Sequence, residues 1–207
     1  MEYFDIYNEA MEKIGVKPRG EVHVKGYWHK TFQCWFISKE MGKTYIYFQK
    51  RHENKDTYPK LLDITSAGHL ALGEEINDGI REIEEELGIK VPFEELSPVG
   101  IIKEEKVEED FIDAEFANVF LYNCKVPMEQ FKLQEEEVVG IFKAELTEIV
   151  KLFKYMIKYV PIEGYEIHNN GEKHYIKLRA ELKDFVPHKP AYYMKVFKAA
   201  ENFISFV

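Results

Sequence analysis

Apolar positions along this chain follow two periods, and the alternation between them sketches the elements. Residues 27–38 are rich in aromatic and β-branched side chains and predict a strand, as does the stretch from Thr44 to Arg51. Residues 40–43, containing Gly42, predict the turn between them, and a polar loop follows from His52 to Pro59. Leu61 to Leu72 reads as a strand entering a loop, and Glu115 to Cys124 and Glu137 to Phe142 read as further strands. Helical spacing is predicted over Asp5 to Ile14, Glu75 to Leu87, Leu146 to Ile157, and from about Ala191 onward with Val196, Ala200 and Phe203 on one face. Asn169, Asn170 and Gly171 predict a hairpin. Strands interleaved with helices indicate an α/β layered domain, with one domain expected over residues 1–207. Its core is expected at about 22–157, and a C-terminal extension at about 158–207.

The segment ending at Gly88 carries the most chemical information. On a helix of about 3.6 residues per turn, Ile76, Ile80, Ile83 and Leu87 form one stripe that can bury against a sheet. Glu82, Glu85 and Glu86 stand at i, i+3 and i+4 and share a different face. Three carboxylates so crowded repel one another, and a hard divalent cation such as Mg2+ or Mn2+ relieves that repulsion. An acidic run of this kind is more commonly a solvated helix face, so the surroundings have to decide.

The formal net charge of −9, with no dense Lys/Arg cluster, argues against general nucleic-acid binding. It does not argue against a phosphorylated ligand, provided that cations screen the repulsion. Apolar residues at 45% and charged residues at 31% fit a globular chain. No apolar run approaches the roughly 20 residues that span a bilayer, and the first residues carry no basic leader, so a cytoplasmic protein without membrane partners is expected. Cys34 and Cys124 have neither zinc-site nor redox spacing and read as ordinary thiols.

The run from Gly68 to Ile89 resembles the Nudix box, Gly-x5-Glu-x7-Arg-Glu-U-x-Glu-Glu-x-Gly-U, where U is a bulky aliphatic residue. Gly68 and Glu74 match its first half, and Arg81, Glu82, Ile83, Glu85, Glu86, Gly88 and Ile89 match every specified position of its second half. There is one departure: residues 75–80 make the gap between Glu74 and Arg81 one shorter than the pattern. That leaves open whether Glu74 still pairs with Arg81 as in the family, and Gly79 inside a helix costs about 1 kcal/mol relative to alanine. Residues 49–51, 56–59 and 62–69 look like the branch related to isopentenyl-diphosphate isomerase.

The resemblance implies a Nudix fold: a mixed β-sheet sandwiched between α-helices, with a C-terminal helical extension. It implies Glu85 and Glu86 as main ligands of Mg2+ (or Mn2+), Glu82 as a further ligand or the base, and the Gly68 carbonyl completing the coordination. Glu137 is an alternative base, and Lys50 or Arg51 a phosphate contact. His23, His29 and His69 are candidates to line the site. The implied activity is hydrolysis of a diphosphate linkage in a small organic diphosphate. An isomerase of isopentenyl diphosphate is the first alternative, although residues 63–68 lack the cysteine such enzymes place before the box. A non-catalytic nucleotide-metabolite sensor is the second, although the box glutamates are all present. The C-terminal helix is expected either to pack on its own domain or to form a homodimer.

Overall fold

The computed structural model describes residues 2–108, 111–168 and 171–204. The N-terminal residues form a hairpin, β1 (Tyr3–Tyr7) and β2 (Lys13–Pro18), rather than the helix expected over Asp5 to Ile14. Turn chemistry decides the matter. The Asn8 Oδ1 accepts from the backbone N–H groups of Ala10 and Glu12, and Met11 adopts a left-handed φ of 64°. Phe4 and Ile6 then point inward with period two. The helix comes later, as α1 (Arg19–Lys25), ending at Gly26 in the left-handed conformation.

The main sheet contains β3 (His29–Glu40), β4 (Lys43–Arg51), the short β5 (Leu62–Asp63) and β6 (Ser66–His69), β7 (Leu96–Glu108), β8 (Phe111–Asn123), β9 (Val138–Glu145), β10 (Val160–Ile167) and β11 (Lys173–Ala180). Its order is β11-β10-β9-β4-β3-β8-β7; β3 and β8 run parallel and the other pairs antiparallel. The strand β7 escaped the sequence reading. It lies at the sheet edge, partly solvated on both faces, so its lysines and glutamates mask any alternation. The hairpin expected near Asn169 forms between β10 and β11, while Asn169 and Asn170 themselves lie outside the described residues.

Alternation along β3 builds two cores. Phe32, Cys34 and Phe36 pack on the side of α2 (Arg81–Leu87) with Ile83 and Leu87. Trp35 and Ile37 pack on the side of α3 (Leu146–Phe153) and α4 (Pro190–Ile204). The sheet is therefore sandwiched between helices. Tyr192, Tyr193, Val196, Phe197 and Ala200 are all at most 1% exposed, so α4 packs on its own chain as an integral part of the core. Helix α3 is shorter than expected because the chain leaves it at Phe153, and Tyr155 turns left-handed.

Partway along, β3 changes partners. Residues Ile37 to Glu40 pair with β4, whereas Thr31 to Cys34 pair with β6, and β4 pairs further on with β5. The two long strands splay, and the two short strands enter the wedge. Helix α2 begins at Arg81, six residues after the expected start at Glu75: a 3-10 turn over Asp78–Ile80 precedes it, and Asp78 Oδ2 accepts from the Glu75 N–H at 2.8 Å. Gly79 in that turn presses on β3, where an added Cβ would stand 2.5 Å from the Phe32 Cβ. Propensity alone predicts that Gly79→Ala stabilises the protein, but the packing reverses the sign. Chemical denaturation is expected to show a loss of about 1–3 kcal/mol for Gly79→Ala.

Candidate active site

The acidic helix faces a cleft of about 510 Å3 that runs along the wedge between the splayed strands. Glu82, Glu85 and Glu86 all line it, with Gly68 and His69 of β6 opposite. The closest approach is between Gly68 and Glu82, where a side chain at position 68 would place its Cβ 2.1 Å from the Glu82 carboxyl carbon. Only glycine leaves room for that carboxylate beside the β6 backbone. Glu86 is buried, and one of its oxygens accepts from the Ala67 N–H at 3.1 Å.

Arg81 organises the ensemble. Its Nε and Nη2 hold the two carboxylate oxygens of Glu74 at 2.7 and 3.0 Å, so the pair survives the shortened spacing. Its Nη1 donates to Glu82 at 2.6 Å and Glu85 at 3.1 Å, and its Nη2 also donates to the His69 carbonyl at 3.1 Å. Glu86 differs from its neighbours. Among the described residues no lysine or arginine stands within ion-pair distance of it. Burial, reinforced by the charge of Glu82, pushes its carboxyl up to about 8. Burial likewise pushes Glu82 up to about 7, against the pull of Arg81 and with the help of Glu85. Two shielded carboxylates side by side, with a backbone held against them, form an all-oxygen donor set suited to a hard divalent cation.

The remaining expected residues divide. Glu137 stands just before β9, lines the cleft and contacts Lys55. Arg51 also lines the cleft, where it bonds Asp63 at 2.9 Å and the Thr57 carbonyl at 2.9 Å and thereby shapes the loop over 52–61. Lys50, expected beside a phosphate, is not among the lining residues. It shares a register row with Gly140 and Glu166, and with no side chain at Gly140 its Nζ reaches Glu166 at 2.7 Å. Of the three histidines, His69 alone lines the cleft. Cys34 and Cys124 are buried and neither lines it.

Several lining residues were missed by the sequence reading. Lys55 and Lys106 add positive charge, and Asp113 and Glu115 add buried or partly buried acid. Burial, then the charge of Asp113, pushes Glu115 well above the usual carboxylate range. Its oxygen accepts from Gln33 Nε2 at 3.2 Å; the Tyr192 hydroxyl donates to Gln33 Oε1 at 2.7 Å and accepts from Trp35 Nε1 at 2.9 Å. A signal for this wall existed in β8, where Asp113 and Glu115 occupy the same alternating series as Ala117, Val119 and Leu121. Polar residues at one end of an apolar strand face mark the point where the core gives way to a cleft.

No family model matches the chain. An uncharacterized Nudix hydrolase of Clostridium acetobutylicum is 44% identical over 198 residues, covering 96% of each protein. Nudix hydrolase 3 of Arabidopsis thaliana is 36% identical over 170 residues, which span 79% of this chain and 20% of that larger one. Among solved structures, a protein of Deinococcus radiodurans aligns with a TM-score of 0.54 at 17% identity, over 75% of this chain and 89% of its own. A MutT/nudix family protein of Enterococcus faecalis aligns with a TM-score of 0.51 at 8% identity, over 84% of this chain and 62% of its own. At such identities the two structures bear on the fold alone.

Glu86 gives the site a pH signature. A carboxyl whose folded-state pKa is raised binds its proton more tightly in the folded chain. Its contribution to stability is then greatest below the ordinary value of 4.5 and is lost as pH rises through about 8. Thermal melts in chelator are expected to show that decline, Glu86→Gln to flatten it, and Mg2+ to offset it at the alkaline end.

Proposed function

The chain belongs to the Nudix hydrolase family, and on that premise we propose that it hydrolyses a diphosphate linkage in a nucleoside diphosphate derivative or another small organic diphosphate, with Mg2+ or Mn2+ as cofactor. The observation that carries this reading is the pair Glu82 and Glu86, one half-buried and the other buried on the same cleft wall, with Gly68 pressed against Glu82 and, among the described residues, no lysine or arginine within ion-pair distance of Glu86. Glu85, Glu86, Glu82 and the Gly68 carbonyl would hold the ion. The bound ion supplies Lewis acidity and neutralises charge on the diphosphate oxygens.

The chain's own groups do the rest. Arg51, Lys55 and Lys106 line the cleft and can meet an anionic group, but carboxylates outnumber basic side chains there, so an anionic substrate depends on the cation held by the acidic helix. A water attacks one phosphorus in line, the bond from that phosphorus to the bridging oxygen breaks, and the second phosphate leaves. The water's proton goes to Glu82 or to Glu137, the two lining carboxylates suited to accept it. Arg81 keeps the acidic helix and β6 in register while charge redistributes.

A panel of diphosphate compounds assayed with Mg2+ or Mn2+ tests the reading. Hydrolysis of one compound class is expected, with Glu85→Gln and Glu86→Gln each lowering kcat/KM more than ~100-fold, beyond the usual loss for an outer-shell partner. Folded protein that hydrolyses none of them, or variants that keep full activity, would refute it. Glu137→Gln lowers kcat with little change in KM if Glu137 takes the proton, and leaves both near the parent values if Glu82 does.

A further inference from the structure

We propose that His188 is a positioning residue of the cleft: bridging two buried carboxylates, it fixes Asp63, and through Asp63 it aims the Arg51 guanidinium at an anionic substrate. This rests on the hydrolase reading above, because it needs Arg51 to meet an anionic group. His188 lies on the segment between β11 and α4, where residues 185–189 run beside β5. Phe185 forms a parallel bridge with Leu62, and the Val186 N–H donates to the Leu62 carbonyl at 2.9 Å. The segment thereby delivers His188 to Asp63, the neighbour of Leu62. Tyr192 stacks on the imidazole at 4.7 Å and Tyr193 meets it edge-on at 5.5 Å, so α4 sets the plane of the ring.

Its Nε2 donates to Asp63 Oδ1 at 3.0 Å, and its Nδ1 donates to Glu104 Oε2 of β7. Carboxylate oxygens only accept, so both ring nitrogens carry a proton and the ring is a cation. The remaining acceptors are taken as well. Glu104 Oε1 receives the Lys189 N–H at 3.1 Å, Asp63 Oδ1 also receives the Ile64 N–H at 2.8 Å, and Asp63 Oδ2 receives Arg51 Nη1 at 2.9 Å. Four charges of alternating sign thus follow one another from β7 to the cleft: Glu104, His188, Asp63 and Arg51. Burial disfavours ionisation of both acids, yet the His188 hydrogen bond holds Asp63 and Glu104 below the usual carboxylate range, and the charge of Arg51 adds to the effect on Asp63.

Such a series is a poor way merely to dock α4. Desolvating ions cancels much of their attraction, and apolar side chains of similar size would serve at least as well. Ions supply direction instead, and this series ends in the cleft, which Arg51, Asp63 and His188 all line. Of the five N–H groups of Arg51, those on Nε and Nη2 are engaged by the Thr57 carbonyl and hydroxyl, and Nη1 gives one to Asp63. The fifth, also on Nη1, has no partner among the described residues. It shares a rigid plane with the N–H that Asp63 holds, so fixing Asp63 fixes where it points.

Calorimetric titration of the full chain with methylenediphosphonate, a diphosphate whose P–C–P bridge resists hydrolysis, tests this in the presence of Mg2+. Glutamine places its amide nitrogen where Nε2 of His188 stands, and asparagine where Nδ1 stands. His188→Gln keeps the Asp63 contact and is expected to bind near the parent affinity. His188→Asn keeps only Glu104 and is expected to weaken binding about 10-fold, the worth of one charge-assisted hydrogen bond. Arg51→Lys is expected to weaken it at least as much, and the double variant to bind as weakly as Arg51→Lys alone, because both changes act through one guanidinium. Losses that multiply in the double variant overturn the proposal, as does folded His188→Asn that binds like the parent. Should His188→Asn fail to fold, the ring 15N spectrum of the parent chain at neutral pH decides. Protons on both nitrogens of His188, with His188→Gln binding like the parent, uphold the bridge; an Nε2 without a proton cannot donate to Asp63 and overturns it. A parent chain that does not bind the probe overturns the substrate reading together with this one. Binding that Glu86→Gln abolishes but Arg51→Lys leaves unchanged overturns this one alone.

Discussion

The guanidinium of Arg81 ties together the loop before the acidic helix, the helix itself and the β6 backbone. It takes Glu74 from the preceding loop, Glu82 and Glu85 from its own helix, and the His69 carbonyl from β6. Its planar set of donors and its permanent charge suit it to this, and a lysine would serve neither purpose as well. Helix α2 has only seven residues, too few to be stable through its own hydrogen bonds. Its position comes from Ile83 and Leu87 beneath it and from Arg81 at its start. The carboxylates that define the site therefore inherit their placement from one cation and two aliphatic anchors.

The chemistry of the acidic helix was legible in the sequence because its residues are contiguous. Helical spacing puts Glu82, Glu85 and Glu86 together without any knowledge of the fold, and Gly68 stands in the same motif. The shortened gap after Glu74 did not defeat the ion pair, because a 3-10 turn leads into the helix and Arg81 at its start still reaches Glu74. The N-terminal hairpin was illegible for the opposite reason. The alternation of Phe4 and Ile6 spans too few residues to decide the period, and a side-chain acceptor at Asn8 settled the outcome locally.

Long-range assembly is where reading the sequence stops. His23, His29 and His69 are unremarkable one by one, and the alternation that places Asp113 on the inner face of β8 does not say what it faces. Only the parallel pairing of β3 with β8, which sets His29 beside Glu115, and the antiparallel pairing of β3 with β6, which sets Thr31 beside His69, bring them to one place. Lys50 shows the converse. A basic pair at a strand end suggests anion binding, yet register across Gly140 commits Lys50 to Glu166.

The chain from Glu115 through Gln33 and Tyr192 to Trp35 joins the cleft wall to α4. It has a bearing on biosynthesis. A ribosome releases the acidic helix, β6 and both long strands of the sheet well before residue 192 emerges from the exit tunnel. Until then Gln33 and Trp35 have no hydroxyl between them, and the second core lacks the side chains of Tyr193, Val196 and Phe197. The nascent protein thus carries every glutamate of its acidic helix while the cleft wall behind them is still incomplete, so the cleft takes its final shape only after translation has passed α4.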